Sequence, residues 1–315
     1  MSDHEFDRIR RLAARFRGPP SPAVGIGDDA AVLPRVDGPL VVTVDASVEH
    51  VHFRRAWASI DRLATRAVHA AASDLAAMGA DPSRPGGGLL FALELPSTLE
   101  PSEFDSLIDG LARGAESLSA PVLGGNLTRS SSSALSITTT AMGVADTPLL
   151  RTGARVGDNV FVFGCVGAAR VGVEALLAGR EREPLLAPFV ERWLAPRAQI
   201  TEGLSIAQLA TACIDLSDGL AQDAAHIAEQ SDVGIELDAS AIPIANLQDE
   251  ASRSLGFDPI ELALRGGEDY LLLFTAPRER VEGATRIGRV VDGRGVFVLR
   301  DGVRSPAPAG WDHFT

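Results

Sequence analysis

The sequence predicts a two-domain protein of the α/β (α+β) class, and three observations carry that prediction. Its 315 residues exceed one average domain and suffice for two buried cores. Along the chain, β-branched apolar runs alternate with segments whose apolar residues recur at helical spacing. Near residues 147–158 the alternation breaks, where Pro148, Gly153 and Gly157 surround Arg151 and Arg155, and a new β-branched run begins at Val160. The expected domains are therefore 1–147 and 148–315.

The elements follow in order. Residues 5–16 carry a helical apolar pattern, 39–45 a β-branched strand and 59–78 a long alanine-rich helix. A strand is expected at 88–95 and a helix at 101–118, with Ser102 as its cap. Strands follow at 120–123 and 134–144, with the serine run 130–133 between them read as a loop. In the second half a strand at 160–164 precedes helices at 168–177, 200–210 and 220–229, an acidic, proline-marked stretch at 181–188 and a strand at 270–274.

Composition narrows the class. Hydrophobic residues make up 45% and charged residues 23%, as in ordinary soluble proteins, and no apolar run is long enough to span a membrane. The acidic start Met1-Ser2-Asp3-His4-Glu5 lacks the basic and apolar regions of a secretory signal, so the expected compartment is the cytoplasm. Cys165 and Cys213 are too few for a disulfide framework or a four-ligand zinc site and are expected to be buried thiols. With 29 basic and 42 acidic residues the net charge is −13, which disfavours a nucleic-acid or anionic-membrane surface.

The acidic residues that matter sit in short, mostly glycine-flanked, otherwise apolar segments: Gly25-Ile26-Gly27-Asp28-Asp29, Val44-Asp45-Ala46-Ser47, Ser73-Asp74-Leu75-Ala76-Ala77-Met78-Gly79, Asp215-Leu216-Ser217-Asp218-Gly219 and Gly266-Gly267-Glu268-Asp269-Tyr270. Carboxylates in apolar surroundings are costly unless neutralised, and hard cations such as Mg²⁺ are the usual partners of oxygen-only clusters. Each segment also has a plainer explanation. The first is compatible with a tight turn, Asp74 with an exposed helix face, and Ser217 or Asp218 with a helix cap. Asp45 closes an apolar strand, a place where α/β proteins display ligand groups. His52, beside Phe53, fits packing more readily than chemistry, and its case depends on what surrounds it.

In Leu123-Gly124-Gly125-Asn126, paired glycines after a short strand read as a turn whose amides approach phosphate oxygens, or as a simple strand exit. No phosphate-loop lysine motif, His-Glu-x-x-His or nucleophile elbow is present. Phosphate chemistry on this chain must therefore lean on cations.

The ordered series GIGDDAAVL, VDASVEHVHF, SDLAAMGADP, LGGNLTRS, DLSDGLAQD and GGEDYLLLF resembles the thiamine-monophosphate kinase family, of the ATP-binding superfamily named for aminoimidazole ribonucleotide synthetase. The resemblance implies a two-domain PurM-like fold: an N-terminal mixed-sheet domain that binds ATP and Mg²⁺ and forms a homodimer, and a C-terminal α/β domain completing the nucleotide and substrate site. It implies phosphoryl transfer from ATP to thiamine monophosphate by direct in-line displacement assisted by several Mg²⁺ ions.

By motif position, Asp29, Thr43, Asp45, Asp74, Asn126, Asp215 and Asp218 would hold metal, with Asp29, Asp45, Asp74 and Asp215 the catalytic carboxylates. Gly124, Gly125, Asn126, Arg151 and Ser217 would contact ATP, and His52, Glu268 and Trp311 the substrate. The chain departs from the family pattern at Asn126, where aspartate is usual, at Val44, where a hydroxyl residue is usual, and at Ala71-Ala72, where Asn-Leu is usual. Two other classes stay open on these residues: another ATP-using enzyme of the superfamily, and a nucleotide-binding sensor or scaffold with weakened catalysis.

Overall fold

The computed structural model describes residues 5–16, 26 and 30–308. The chain forms two compact units, one from residues 1–75 and 80–146, the other from 76–79 and 147–315.

The first unit runs α1 (Glu5–Arg15), β1 (Leu40–Val48), α2 (Ile60–Ala77), β2 (Gly88–Leu95), α3 (Pro101–Ser117), β3 (Val122–Arg129) and β4 (Ser136–Val144). Its strands lie in the order β1-β4-β2-β3, with β4 antiparallel to both neighbours and β3 parallel to β2. Parallel neighbours need a crossover, and α3 provides it.

Burial alternates along the strands. Leu89, Phe91, Leu93 and Leu95 of β2 are buried beneath the helices, while Leu40, Val42 and Val44 of β1 stand 40%, 56% and 64% exposed on the opposite face.

The two long helices meet through glycine. A Cβ at Gly110 of α3 would lie 2.1 Å from the Asp61 carbonyl oxygen, and one at Gly114 would lie 2.7 Å from the Val68 Cβ. Thr65 Oγ1 bridges the same seam, donating to the carbonyls of Asp61 and Gly110 at 3.0 and 2.9 Å. Small residues here let the backbones approach far enough for that shared hydroxyl to reach both.

Three expectations in this unit change. The α3 start is not capped by Ser102: the cap position is Glu100, whose N–H donates to the Glu103 carboxylate at 3.0 Å. Gly124-Gly125-Asn126 is not a turn, because β3 stays paired with β2 from Val122 through Arg129, with one irregularity near Leu89. Gly125 fits that ladder because a Cβ there would come 1.9 Å from the Phe91 carbonyl oxygen. Asp45 does not close its strand either, since β1 continues to Val48.

The second unit contains β5 (Asn159–Phe163), α4 (Ala168–Leu177), α5 (Ala187–Leu194), α6 (Ile200–Ile206), β6 (Ala212–Asp215), α7 (Leu220–Ser231), β7 (Gly234–Asp238), α8 (Gln248–Ser254), α9 (Pro259–Arg265), β8 (Leu272–Ala276), β9 (Ala284–Val291), β10 (Gly295–Arg300) and β11 (Val303–Pro306). The strands make a mixed sheet ordered β11-β10-β7-β9-β5-β8-β6, in which only β10 and β7 run parallel. One core packs α7 residues Leu220, Ala224 and Ile227 against Val160, Ile214, Ile235 and Leu273. A second gathers Phe161, Phe163, Phe274, Ile206 and Leu149.

The acidic stretch at 181–188 leads into helix α5, with Pro188 in its first turn, where the missing N–H would have had no helical partner. The helix expected to reach residue 210 stops at Ile206, and Thr211 turns into the sheet by donating its N–H to the Thr275 carbonyl at 2.7 Å. Cys213 is buried as expected, whereas Cys165 is only half-buried.

Replacing Gly110 by alanine is expected to destabilise the protein by about 1–3 kcal/mol, through overpacking against the Asp61 backbone. A lowered urea midpoint with an unchanged denaturant slope is the expected result.

Candidate functional site

Each unit carries its own cluster of the acidic residues singled out by the sequence. In the first, Thr43 and Asp45 are two residues apart on β1 and so share its helix-covered face. The Thr43 hydroxyl donates to Asp74 Oδ2 of α2 at 2.5 Å. Asp74 is only half-buried, although Ala71, Ala72, Leu75 and Ala76 around it are fully buried. It is therefore neither a surface acid nor a sealed one.

Two orphaned hydroxyls lie beside this group. Thr139, paired with Asp45 across β1 and β4, and Ser73, which precedes Asp74, are both buried, and neither side-chain oxygen has a hydrogen-bond partner among the described residues. Unsatisfied buried hydroxyls are costly, and these two would suit a polar ligand.

Asn126 belongs to a different row. It pairs with Ala92, which pairs with Thr138, which pairs with Ala46, whereas Asp45 aligns with Thr139, Phe91 and Gly125. Adjacent rows of a sheet face opposite ways, so Asn126 lies on the exposed face, away from Thr43 and Asp45.

His52 sits in the turn after β1, where its Nδ1 accepts the Val48 N–H at 3.0 Å. That bond fixes the tautomer with the proton on Nε2 while the ring is neutral. Asp29 and Trp311, and with Asp29 most of the first glycine-flanked segment, lie outside the described residues.

In the second unit the segments 215–219 and 266–270 are laced together. The N–H of Leu216 donates to the Leu271 carbonyl at 2.8 Å, that of Glu268 to the Ser217 carbonyl at 2.9 Å, and that of Tyr270 to the Leu216 carbonyl at 2.8 Å. Thus the antiparallel pairing of β6 with β8 carries on into the loops. Gly267 is required at this crossing, since a Cβ there would lie 2.1 Å from the Ser217 carbonyl oxygen.

Asp215 ends β6 and is 4% exposed, while Ser217 and Asp218 are half-buried. Neither of the latter caps α7. Gly219, with φ of +114°, takes the cap position, and the buried carboxylate of Asp223 accepts the N–H groups of Asp218 and Gly219 at 3.2 and 3.1 Å.

Asp223 and His226 were not singled out from the sequence. Asp218, Asp223 and His226 hold potential metal-ligand atoms all within 4.8 Å of one another. The signal available was an acid and a histidine three apart on α7, directly after Asp218. Burial, reinforced by the charges of Asp215 and Asp218, pushes the Asp223 carboxyl well above the usual carboxylate range. Burial and the Asp215 charge likewise raise the Cys213 thiol. Such a concentration of negative charge suits a cation, and the oxygen-rich donors of both units suit Mg²⁺.

The neighbouring acids have separate jobs. Glu268, half-buried, accepts the Trp193 indole N–H at 3.0 Å and the Tyr270 hydroxyl at 3.4 Å. Asp269 faces the start of α4, accepting the N–H groups of Gly167 and Ala169 at 2.6 and 3.0 Å. Arg151 is exposed, and its backbone carbonyl accepts the Ser231 hydroxyl at 3.1 Å.

Residues 27–145 match the model of the AIR synthase related protein N-terminal domain and residues 155–300 that of its C-terminal domain. The chain is 39% identical over 293 residues to thiamine-monophosphate kinase of Aquifex aeolicus, covering 92% of each protein. It is 34% identical over 314 residues to the enzyme of the same name from Mycobacterium tuberculosis, covering 98% of this chain and 91% of that one. The solved structure of AaThiL complexed with AMPPCP and TMP superposes with a TM-score of 0.82 at 37% identity, covering 99% of this chain and 97% of that chain.

Asp269 gives this unit a defined pH response. Burial raises its carboxyl from 3.8 to about 7, against the pull of the two amide donors. Because the folded pKa lies above the unfolded one, the native state binds more protons between these values, and stability falls as pH rises from 3.8 to about 7. The stability difference between wild type and Asp269→Asn, taken from denaturant unfolding across that range, is expected to decline with pH and to level off above it.

Proposed function

Since the chain belongs to the thiamine-monophosphate kinase family, we propose that it transfers the γ-phosphoryl group of ATP to the phosphate of thiamine monophosphate, yielding ADP and thiamine diphosphate. The observation that carries this reading is the match across both units to a structure complexed with AMPPCP and TMP.

Both reactants are polyanions, so the chemistry needs alignment and charge neutralisation more than covalent help. When bound, Mg²⁺ supplies the positive charge that offsets their repulsion and polarises the transferring phosphoryl group. Each unit has its own candidate ligands: we assign Asp29, Thr43, Asp45 and Asp74 to metal in the first, and Asp215 and Asp218 to metal in the second. Asn126 lies on the other face of the first sheet from Asp45, so as a metal ligand it would serve a separate ion.

Within each group the protein's own contacts set the geometry. Thr43 occupies one lone pair of Asp74 Oδ2 and thereby orients the carboxylate. Asp223 holds the backbone of Asp218 and Gly219, fixing the loop that presents Asp215, Ser217 and Asp218. We assign Ser217, Gly124, Gly125, Asn126 and the planar guanidinium of Arg151 to ATP. Glu268 is assigned to the cationic thiazolium, with His52 and Trp311 completing the acceptor side. Transfer is direct and in line, with no phosphoenzyme.

The exposed Leu40, Val42 and Val44 support a homodimer formed through the outer sheet face. No helix among the described residues is long and apolar enough to cross a membrane, and an ATP-consuming enzyme of this kind fits the cytoplasm.

Purified protein incubated with ATP, Mg²⁺ and thiamine monophosphate is expected to release ADP and thiamine diphosphate in equal amounts. Nucleotide binding without product would replace the kinase reading with that of a binding protein. Asp74→Asn is expected to lower kcat by about 100-fold or more, the scale of losing one transition-state electrostatic contact. In sedimentation, wild type is expected at twice the chain mass and Val44→Lys at the mass of one chain.

A further inference from the structure

We propose that Trp193 is a positioning residue that gives the enzyme its preference for a cationic acceptor, by holding the Glu268 carboxylate in one orientation. This rests on the reading above, in which Glu268 meets the thiazolium, and concerns a residue outside the acidic segments.

Trp193 lies on α5 with no exposed surface, so its indole N–H must find an acceptor inside the protein. It reaches Glu268 Oε2 at 3.0 Å, while the Tyr270 hydroxyl approaches Oε1 at 3.4 Å. Both donors are neutral. They fix the direction of the carboxylate, and neither of them cancels its charge.

The backbone is held as firmly as the side chain. Glu268 and Tyr270 adopt left-handed φ values of +73° and +52°, a conformation that non-glycine residues seldom adopt. Their N–H groups are tied to the carbonyls of Ser217 and Leu216 at 2.9 and 2.8 Å, and the bare Gly267 backbone lies against Ser217. Strain of this kind persists where the surroundings over-determine it, and it clusters at functional sites. Here it points a carboxylate, gripped at both oxygens yet still half-buried rather than sealed, from the loop that is laced to Ser217.

A carboxylate held in this way recognises a fixed positive charge on a flat ring. If Trp193 is removed as a donor, Glu268 Oε2 loses a contact that sets its rotamer, and the acceptor's anchor is loosened while the nucleotide's is not.

The test is Trp193→Phe, which keeps an aromatic ring and removes the N–H, assayed with thiamine monophosphate and with an analogue whose thiazolium is replaced by a neutral thiophene. The expected result is an approximately tenfold rise in KM for thiamine monophosphate, the scale of one hydrogen bond to a charged group. KM for ATP and kcat should stay within about twofold, and the preference for the cationic over the neutral acceptor should fall by a similar factor of about ten. Unchanged acceptor preference, or an equal rise in both KM values, overturns the proposal.

If Trp193→Phe does not fold, Tyr270→Phe decides. A smaller rise, about threefold, in the acceptor KM with reduced cation preference supports the proposal, and no change in either overturns it. A wild-type protein that makes no thiamine diphosphate would overturn the functional reading instead, so the two failures are distinguishable.

Discussion

The pairing of two loops beyond the end of a sheet is the constraint on which the second unit depends. The β6–β8 ladder places Asp215 opposite Leu272, and three further backbone hydrogen bonds continue it through Leu216, Ser217, Glu268 and Tyr270. Residues some fifty positions apart in the chain are thereby set in register to within one residue. The arrangement works only with a residue lacking a side chain at 267, because the Ser217 carbonyl occupies the place a Cβ would take. Once that crossing is made, Asp223 secures the start of α7 and Asp269 secures the start of α4. Buried carboxylates are expensive, and these two are kept because each satisfies a pair of amides that no helical carbonyl can reach.

The first unit solves a different problem by similar means. Its acids come from a strand and a helix rather than from loops, so the precision comes from the packing of α2 on the sheet and of α3 on α2. The glycine seam at Gly110 and Gly114 is remote from Asp74 along the helix, yet it sets the depth of that helix. The Thr43–Asp74 contact then reports the resulting height of α2 above β1. A change in the seam would therefore be felt at the acids as a change of distance rather than of chemistry.

Much of this was legible in the sequence, and the reasons for success and failure are physical. Helices such as 168–177 and strands such as 88–95 declare themselves by period and fall where expected. Ser102 misled because a capping side chain competes with an equally good arrangement one residue pair away, Glu100 with Glu103. Gly124-Gly125 misled because paired glycines mark either a turn or a close backbone approach, and only the partner strand decides. Thr43 and Asp74 were recognised by motif, but their direct contact depends on how a helix rides over a strand. Asp223 and His226 carry only the weak signal of an acid and a histidine three apart, and a tryptophan within a helix has no local signature of the group it will face. Several short elements of the second half, among them β7, β9, β10 and α8, are too brief to show a period.

The left-handed backbone at Glu268 and Tyr270 also has an evolutionary consequence. Glycine or asparagine would adopt those conformations at lower cost, so the loop carries a standing thermodynamic incentive to mutate away from the residues it now holds. At position 268 that relief is opposed, because a residue without the carboxylate would take away an acceptor from the buried Trp193 N–H. The side chain at 268 is thus kept in a strained backbone conformation while it supplies a hydrogen-bond acceptor to its own core.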